Sequence, residues 1–316
     1  MNLITEVPVA PQKFHRINYH SKILLLGSCF SENIGNKLQY FQFYTHQNPL
    51  GIAFHPKAIE TLVQKAINRE LYHEDDLFYH LERWHNFDAH SSLSSADSES
   101  LLANLNTGIH NGNEQLRNAS HLIITLGTAW VYRHIASDKH VANCHKVPQK
   151  KFLKELLTSD DTYESLAAIQ ALVKAYNPNI QIILTVSPVR HIKDGMVENQ
   201  RSKAHLLHAV HQLCDEYAHC HYFPSYEIQM DELRDYRFYQ RDMVHPNELA
   251  IDYIWEKFAN AWIDATTASV RERVATVRKG MAHRPFNPNG QEHQKFLASL
   301  ARKREQLQKE YPHMQF

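Results

Sequence analysis

The chain predicts an α/β fold, a mostly parallel sheet covered by helices on both faces, and three observations carry that expectation. Short apolar runs of strand length alternate along the chain with segments whose apolar residues recur at helical spacing. The runs close on turn residues such as Gly27, Ser187-Pro188 and Pro224. A hydrophobic content of 43% in 316 residues is enough to bury a substantial core.

The first run, Lys22-Ile23-Leu24-Leu25-Leu26, leads through Gly27 to Ser31, an N-cap residue type, after which Ile34, Leu38 and Phe41 form one helical face. Residues 41–46 read as a second short strand. Pro56 then opens a helix with Ile59, Leu62, Val63 and Ile67 on one side. Residues 121–126 read as a buried strand, and 164–176 as a helix with Leu166, Ile169, Leu172 and Val173 inward. Residues 181–186 form the next strand. A helix over 199–218 carries the stripe Leu206, Leu207, Val210, Leu213, Cys214 and Tyr217, and 221–223 supply a further short strand. A last helix starts near Asn247, with Ile251, Ile254, Trp255 and Phe258 facing the sheet. In sheets of this kind a site lies in the crevice at the strands' carboxyl ends.

Two regions depart from the alternation. Residues 71–112 are polar, contain Trp84, His85, His90 and a serine-rich run at 91–95, and read either as an excursion beside the site or as a partly mobile surface segment. From residue 266 charges alternate along the chain, and Pro285, Pro288 and Gly290 interrupt the helical pattern. The expected organisation is one domain over 1–265, with the polar insertion inside it, and a charged helical extension or partner-binding tail over 266–316.

The 34 basic and 34 acidic residues cancel, so no global field draws the chain to nucleic acid or acidic lipid, and neither partner is expected. The start, Met1 to Pro8, has no basic stretch followed by a signal-length apolar core, and no apolar run approaches the roughly 20 residues that span a bilayer. A cytoplasmic location is the expectation. Cys29, Cys144, Cys214 and Cys220 contain no C-x-x-C pair and are too few for a disulfide scaffold, so reduced thiols are expected.

Two segments carry the chemistry. Gly27-Ser28-Cys29-Phe30 sits between a strand and a helix, a turn that exposes a hydroxyl or thiol at a strand's carboxyl end. The helix start offers unpaired N–H groups to a thiolate or a developing oxyanion. Asp242-Met243-Val244-His245 can supply a base, His245, and a carboxylate, Asp242, that fixes its tautomer from the same loop. With 14 Asp and 23 His, about one Asp-x-x-His is expected by chance, and the plain alternative is a surface turn with an N-capping contact. Its setting distinguishes it, beside Tyr236, Phe238 and Tyr239 and ahead of an anchoring helix.

Five segments in order resemble the GSCFA-domain family, related to the SGNH or GDSL hydrolases: Gly27 to Ser31, Leu126 to Trp130, Val141 to Pro148, Ser187 to His191 and Asp242 to Pro246. The name-giving motif ends here in Ser31 instead of Ala. The resemblance covers residues 20–262. It implies a flavodoxin-like three-layer α/β/α sandwich and an activity of ester hydrolysis or acyl transfer, with a small-molecule or glycan-linked acyl substrate and no cofactor.

Against the Gly-Asp-Ser register of those relatives, Ser28 falls at the aspartate position and Cys29 at the serine position. Cys29 is therefore the first candidate nucleophile, through a thioester and with a depressed thiol pKa. Ser28 is the second, and a third reading makes Cys29 a small buried residue and Ser28 a cap. The relatives' oxyanion asparagine, in a Gly-x-Asn segment, is replaced by Ala129. Gly51 matches their second-strand glycine, and Thr128, Asn143 or Asn199 are the candidate side-chain donors, with Asn143 equally explained by a tight turn. Trp84, Trp130 and Tyr132 can line an apolar substrate pocket or belong to the core, and Arg190-His191 can hold an anionic substrate group or simply pair with a carboxylate. His85 with His90, His140 with His145, and His205 with His208 and His211 raise a metal alternative, but no His-Glu-x-x-His is present, and no metal site is expected. Three classes of function remain: a metal-independent acyl-ester hydrolase or acyltransferase, a catalytically degenerate binding protein for a glycan or acylated metabolite, and a histidine-based metal hydrolase.

Overall fold

In the computed structural model, which describes residues 5–316, a five-stranded sheet runs in the order β10-β9-β5-β1-β2 with every pair parallel. Its strands are β1 (Lys22–Gly27), β2 (Tyr44–Gln47), β5 (His121–Leu126), β9 (Gln181–Val186) and β10 (Cys220–Tyr222). Residues 1–4, where the amino-terminal reading began, lie outside the described residues. The order is that of flavodoxin-like sheets, and the direction of winding reverses between β1 and β5, which places the ligand crevice at the carboxyl ends of those two strands.

Alternation along each strand divides two cores. Leu24, Leu26, Leu122, Ile124, Ile182 and Leu184 face α2 (Pro56–Asn68), α3 (Ser98–Asn118), α4 (Ser159–Tyr176) and α5 (Met196–Glu216). Ile23, Leu25, Ile123 and Ile183 face α1 (Cys29–Tyr40) and α7 (Glu248–Trp262). Both faces are apolar because both are covered, which makes a three-layer α/β/α sandwich. The tail folds as α8 (Ala268–Ala282) and α9 (Gln291–Glu310), and its Val270, Val274, Val277, Leu300 and Leu307 join the α1/α7 core.

The polar region 71–112, read as an excursion beside the site or a partly mobile surface segment, contains regular structure. A hairpin, β3 (Phe78–His80) with β4 (Arg83–His85), occupies its first half. Its second half is the start of α3, whose Leu101, Leu105 and Ile109 are core residues three and four apart, a stripe hidden among polar neighbours. A second, antiparallel sheet, β7-β6-β8, follows β5: β6 (Trp130–His134), β7 (Lys139–Val141) and β8 (Phe152–Leu156). A short helix α6 (Ser225–Glu227) runs into a π-turn at Ile228–Glu232 beyond β10. Among the described residues no helix is long and apolar enough to cross a membrane.

Candidate active site

The turn after β1 is held from two sides, by Thr125 and by Asn48. Gly27 takes φ +132°, a left-handed backbone that suits glycine, and a Cβ there would lie 2.1 Å from the Thr125 carbonyl oxygen on β5. Its N–H donates to Asn48 Oδ1 at 2.9 Å. The Ser28 N–H donates to the Thr125 carbonyl at 3.0 Å, so the turn straddles the reversal point between β1 and β5. Ser28 is the N-cap residue of α1, yet its hydroxyl makes no capping bond.

The two candidate nucleophiles are treated differently by this turn. Ser28 is fully buried and its Oγ has no hydrogen-bond partner, whereas Cys29, the first residue of α1, keeps part of its surface exposed. Burial raises the Cys29 thiol above its ordinary pKa and Glu32 adds to the rise. Lys203 and the backbone N–H groups of Phe30 and Cys29 pull it down. The depressed pKa expected from a helix N-terminus is therefore corrected: desolvation and Glu32 outweigh Lys203 and the two backbone N–H groups.

His245 and Asp242 meet as their spacing predicted. Asp242 Oδ2 lies 2.6 Å from His245 Nδ1, and Oδ1 accepts the N–H groups of Val244 and His245 at 3.0 Å each. Those two backbone bonds, the His245 one larger, and then the imidazole hold the Asp242 carboxyl down to about 2. A carboxylate only accepts, so Nδ1 carries the proton and Nε2 offers a lone pair to another proton. Met243 adopts φ +61°, which lets the loop close. The His245 carbonyl accepts from Gln240 N–H at 2.7 Å, and Asn247 caps α7 through Ala250 N–H at 3.1 Å. The loop is thus tied to a helix whose Ile254, Trp255 and Phe258 are in the core.

Arg190, after β9, joins this loop to the sheet. Its N–H donates to the Val244 carbonyl at 3.4 Å, and its guanidinium touches Met230 Sδ at 2.8 Å with no carboxylate paired to it among the described residues. Arg190, Asp242, Val244, Met230 and Tyr239 line a cavity of 390 Å³. His191 follows, with its N–H on Asn199 Oδ1 at 2.8 Å and its ring edge-on to Phe54 at 5.5 Å. A Cβ on Gly127 would sit 3.1 Å from His191 Nε2 and 3.3 Å from Ser28 Cβ, so glycine here lets the ring approach the turn. His191 Nε2 is buried and unpartnered, and burial, then Lys203 and His245, press its pKa down to about 3.

The other candidates divide. The Gly51 N–H donates to the Asn48 carbonyl at 2.7 Å, which closes a turn against His90 and Leu93. Thr128 Oγ1 bonds Ser202 Oγ and accepts Trp130 N–H. Asn143 Oδ1 accepts His145 N–H at 2.8 Å, while the Asn143 N–H donates to the Phe87 carbonyl, which describes a turn at the second sheet. Trp130 opens β6, with Lys154 Nζ 4.6 Å from its ring centroid. Asn199 differs from these: it is 1% exposed and its Nδ2 is unpartnered, as is the Nδ2 of Asn48. Asn48 and Lys203 carried no role in the sequence reading, and His191 entered it only as the end of the Ser187 to His191 segment, beside Arg190. Lys203 was marked only by position, three residues before Leu206 on the buried stripe of α5. Among the described residues no hydrogen bond joins His245 to Ser28 or Cys29, and no group of three or more His, Cys, Asp and Glu is placed to hold a metal ion.

The GSCFA family model matches residues 22–258, and a second model, the C-terminal domain of GSCFA domain proteins, matches 274–316. Among curated proteins nothing matches. A solved carbohydrate esterase family 3 structure from Talaromyces cellulolyticus is similar at 9% identity and a TM-score of 0.35, over 75% of this chain and 94% of that one. An acetyl xylan esterase, Est2A, from the rumen bacterium Butyrivibrio proteoclasticus is similar at 12% identity and a TM-score of 0.29, over 84% of this chain and 66% of that one.

Proposed function

The chain belongs to the GSCFA family, and from that premise and the geometry of the turn we propose a metal-independent acyl-ester hydrolase or acyltransferase that attacks through Cys29. One observation carries the reading: an imidazole whose Nδ1 is fixed on a carboxylate is presented at the same edge of the sheet as a thiol at a helix start. In the scheme, His245 Nε2 takes the thiol proton and Cys29 Sγ adds to the ester carbonyl. The tetrahedral oxyanion collapses to a thioester as the alcohol leaves with the imidazolium proton. Water then regenerates the thiol and releases the acid, or an acceptor hydroxyl takes the acyl group instead. Asp242 keeps the tautomer and balances the transient imidazolium.

The exposure of Cys29 against the burial of Ser28 supports the thiol as nucleophile. For the oxyanion, the Gly51 N–H is committed to the Asn48 carbonyl, the Thr128 hydroxyl is bonded to Ser202 and Trp130, and the Asn143 amide oxygen is held by His145 N–H. Asn199 Nδ2, with Asn48 Nδ2 across the turn, takes the place of the missing Gly-x-Asn amide in this reading. The Arg190 cavity receives an anionic or polar part of a small-molecule or glycan-linked acyl substrate. Replacing His245 by Ala abolishes turnover of an activated acyl ester and leaves thermal stability nearly unchanged, because the side chain is exposed and bonded only to Asp242. Full turnover in that variant rejects the scheme. A second reading, a binding protein for an acylated ligand, draws on the missing hydrogen bond between His245 and Cys29. It predicts ligand binding without product.

A further inference from the structure

The scheme leaves one buried charge unused. Lys203 on α5 is 0% exposed, and its Nζ donates to the carbonyl oxygens of Gly127 at 2.7 Å and Ser187 at 2.6 Å, the residues just past β5 and β9. The Tyr226 ring centroid is 5.7 Å away. Among the described residues no carboxylate pairs with it, whereas the half-buried Lys257 has Glu232 at 2.6 Å. An ammonium taken out of water without an anion is costly, and two carbonyl dipoles satisfy its hydrogen bonds without neutralising it.

The turn above supplies the missing sign. Gly127, whose carbonyl holds the ammonium, packs its other side against Ser28, the residue before Cys29. We propose that Lys203 is the counter-cation of the Cys29 thiolate, a positioning residue whose ammonium is strapped beneath the turn by the Gly127 and Ser187 carbonyls. The thiol proton leaves to His245, and the charge left on sulfur is balanced by the ammonium, with no bond to Lys203 made or broken. Burial pushes Lys203 down to about 7 and Cys29 supports its charge against that, while Lys203 is the leading group that lowers the Cys29 pKa against the rise that burial imposes. Other groups face the pair. Glu32 on α1 opposes the thiolate, Arg190 disfavours the ammonium, and the neutral His191, the His245–Asp242 pair and Tyr226 border the same space.

The inference rests on the reading of Cys29 as nucleophile, but alkylation reports thiolate formation whether or not any ester is turned over, so the two fail separately. The test is the pH dependence of iodoacetamide labelling at Cys29, read by peptide mass spectrometry. Lys203→Gln, which keeps donors and loses charge, moves the midpoint up by about one pH unit, a tenfold loss of labelling well below it. Lys203→Arg, which keeps the charge, stays nearer the parent. A Lys203→Gln midpoint equal to the parent's overturns the proposal, since a purely structural strap would change stability and not this profile. Should that variant fail to fold, NMR titration of lysine ¹³Cε in the parent and in Cys29→Ser asks the reciprocal question. The Lys203 resonance titrates at lower pH in Cys29→Ser, and identical midpoints overturn the proposal.

Discussion

Ser28 and Cys29 are adjacent in sequence and opposed in environment. The register of the motif pointed to Cys29 and left Ser28 open, because a string of residues does not say which side chain of a strand-to-helix turn faces the core. The backbone decides it: with Gly27 at φ +132° and the Ser28 N–H on Thr125, the Ser28 hydroxyl is turned under the helix. The same limit hid the amides. Gly51, Thr128 and Asn143 are donors by type, but the Gly51 N–H closes a turn on Asn48, and the Thr128 and Asn143 side-chain oxygens accept the N–H groups of Trp130 and His145 in local turns. Asn199 is the residue-scale prediction: Asn199→Ala lowers kcat on an activated ester by about 10²-fold with little change in KM, because an oxyanion donor acts only on charge that develops in the transition state. Steady-state kinetics checks it, and a variant with unchanged kcat returns the oxyanion role to Asn48 and the turn.

At the scale of elements, the strands were legible and their companions less so. Residues 121–126 and 181–186 emerge with the bounds read from the sequence, since runs buried on both faces have no polar interruption to blur them. The helix read over 164–176 begins earlier, at Ser159, because Thr158 and Asp161 form a capping box that the apolar stripe does not reach. The β7-β6-β8 sheet escaped because one face of it is polar, and Arg133, His140 and Glu155 pair across it. The element most exposed to a single change is the β1 turn. Gly27→Ala forces a Cβ into the Thr125 carbonyl and an L residue into a left-handed backbone, so it should cost roughly 4 kcal/mol or more of stability. Urea unfolding measures that loss, and a loss below about 1 kcal/mol would mean that the turn relaxes without strain.

For the whole molecule, the tail is the part whose role composition obscured. Its charges alternate, yet Val270, Val274, Val277 and Leu307 keep one buried stripe, so α8 and α9 close the face formed by α1 and α7. The histidines also act at this scale. Burial pushes His55 and His121 down to about 4, even though the Val141 and His15 carbonyls favour their charged forms. The unfolded chain binds protons near the ordinary value of 6.5, so the contribution of each is fully present above that pH. It is lost as pH falls toward the folded-state value, with up to about 3 kcal/mol at stake for each. Urea unfolding at pH 7 and pH 4.5 should show a marked fall in stability, and a flat profile would remove these residues from the account.

The proposed scheme places covalent chemistry on one sulfur. Intact-protein mass spectrometry after brief mixing with p-nitrophenyl acetate, applied to the parent, Cys29→Ala, Ser28→Ala and His245→Ala, tests that claim most directly. The account predicts an acetyl adduct in the parent and in Ser28→Ala, none in Cys29→Ala, and slowed formation in His245→Ala. An adduct that survives in Cys29→Ala and disappears in Ser28→Ala, or no adduct and no released nitrophenol in any of them, would contradict it.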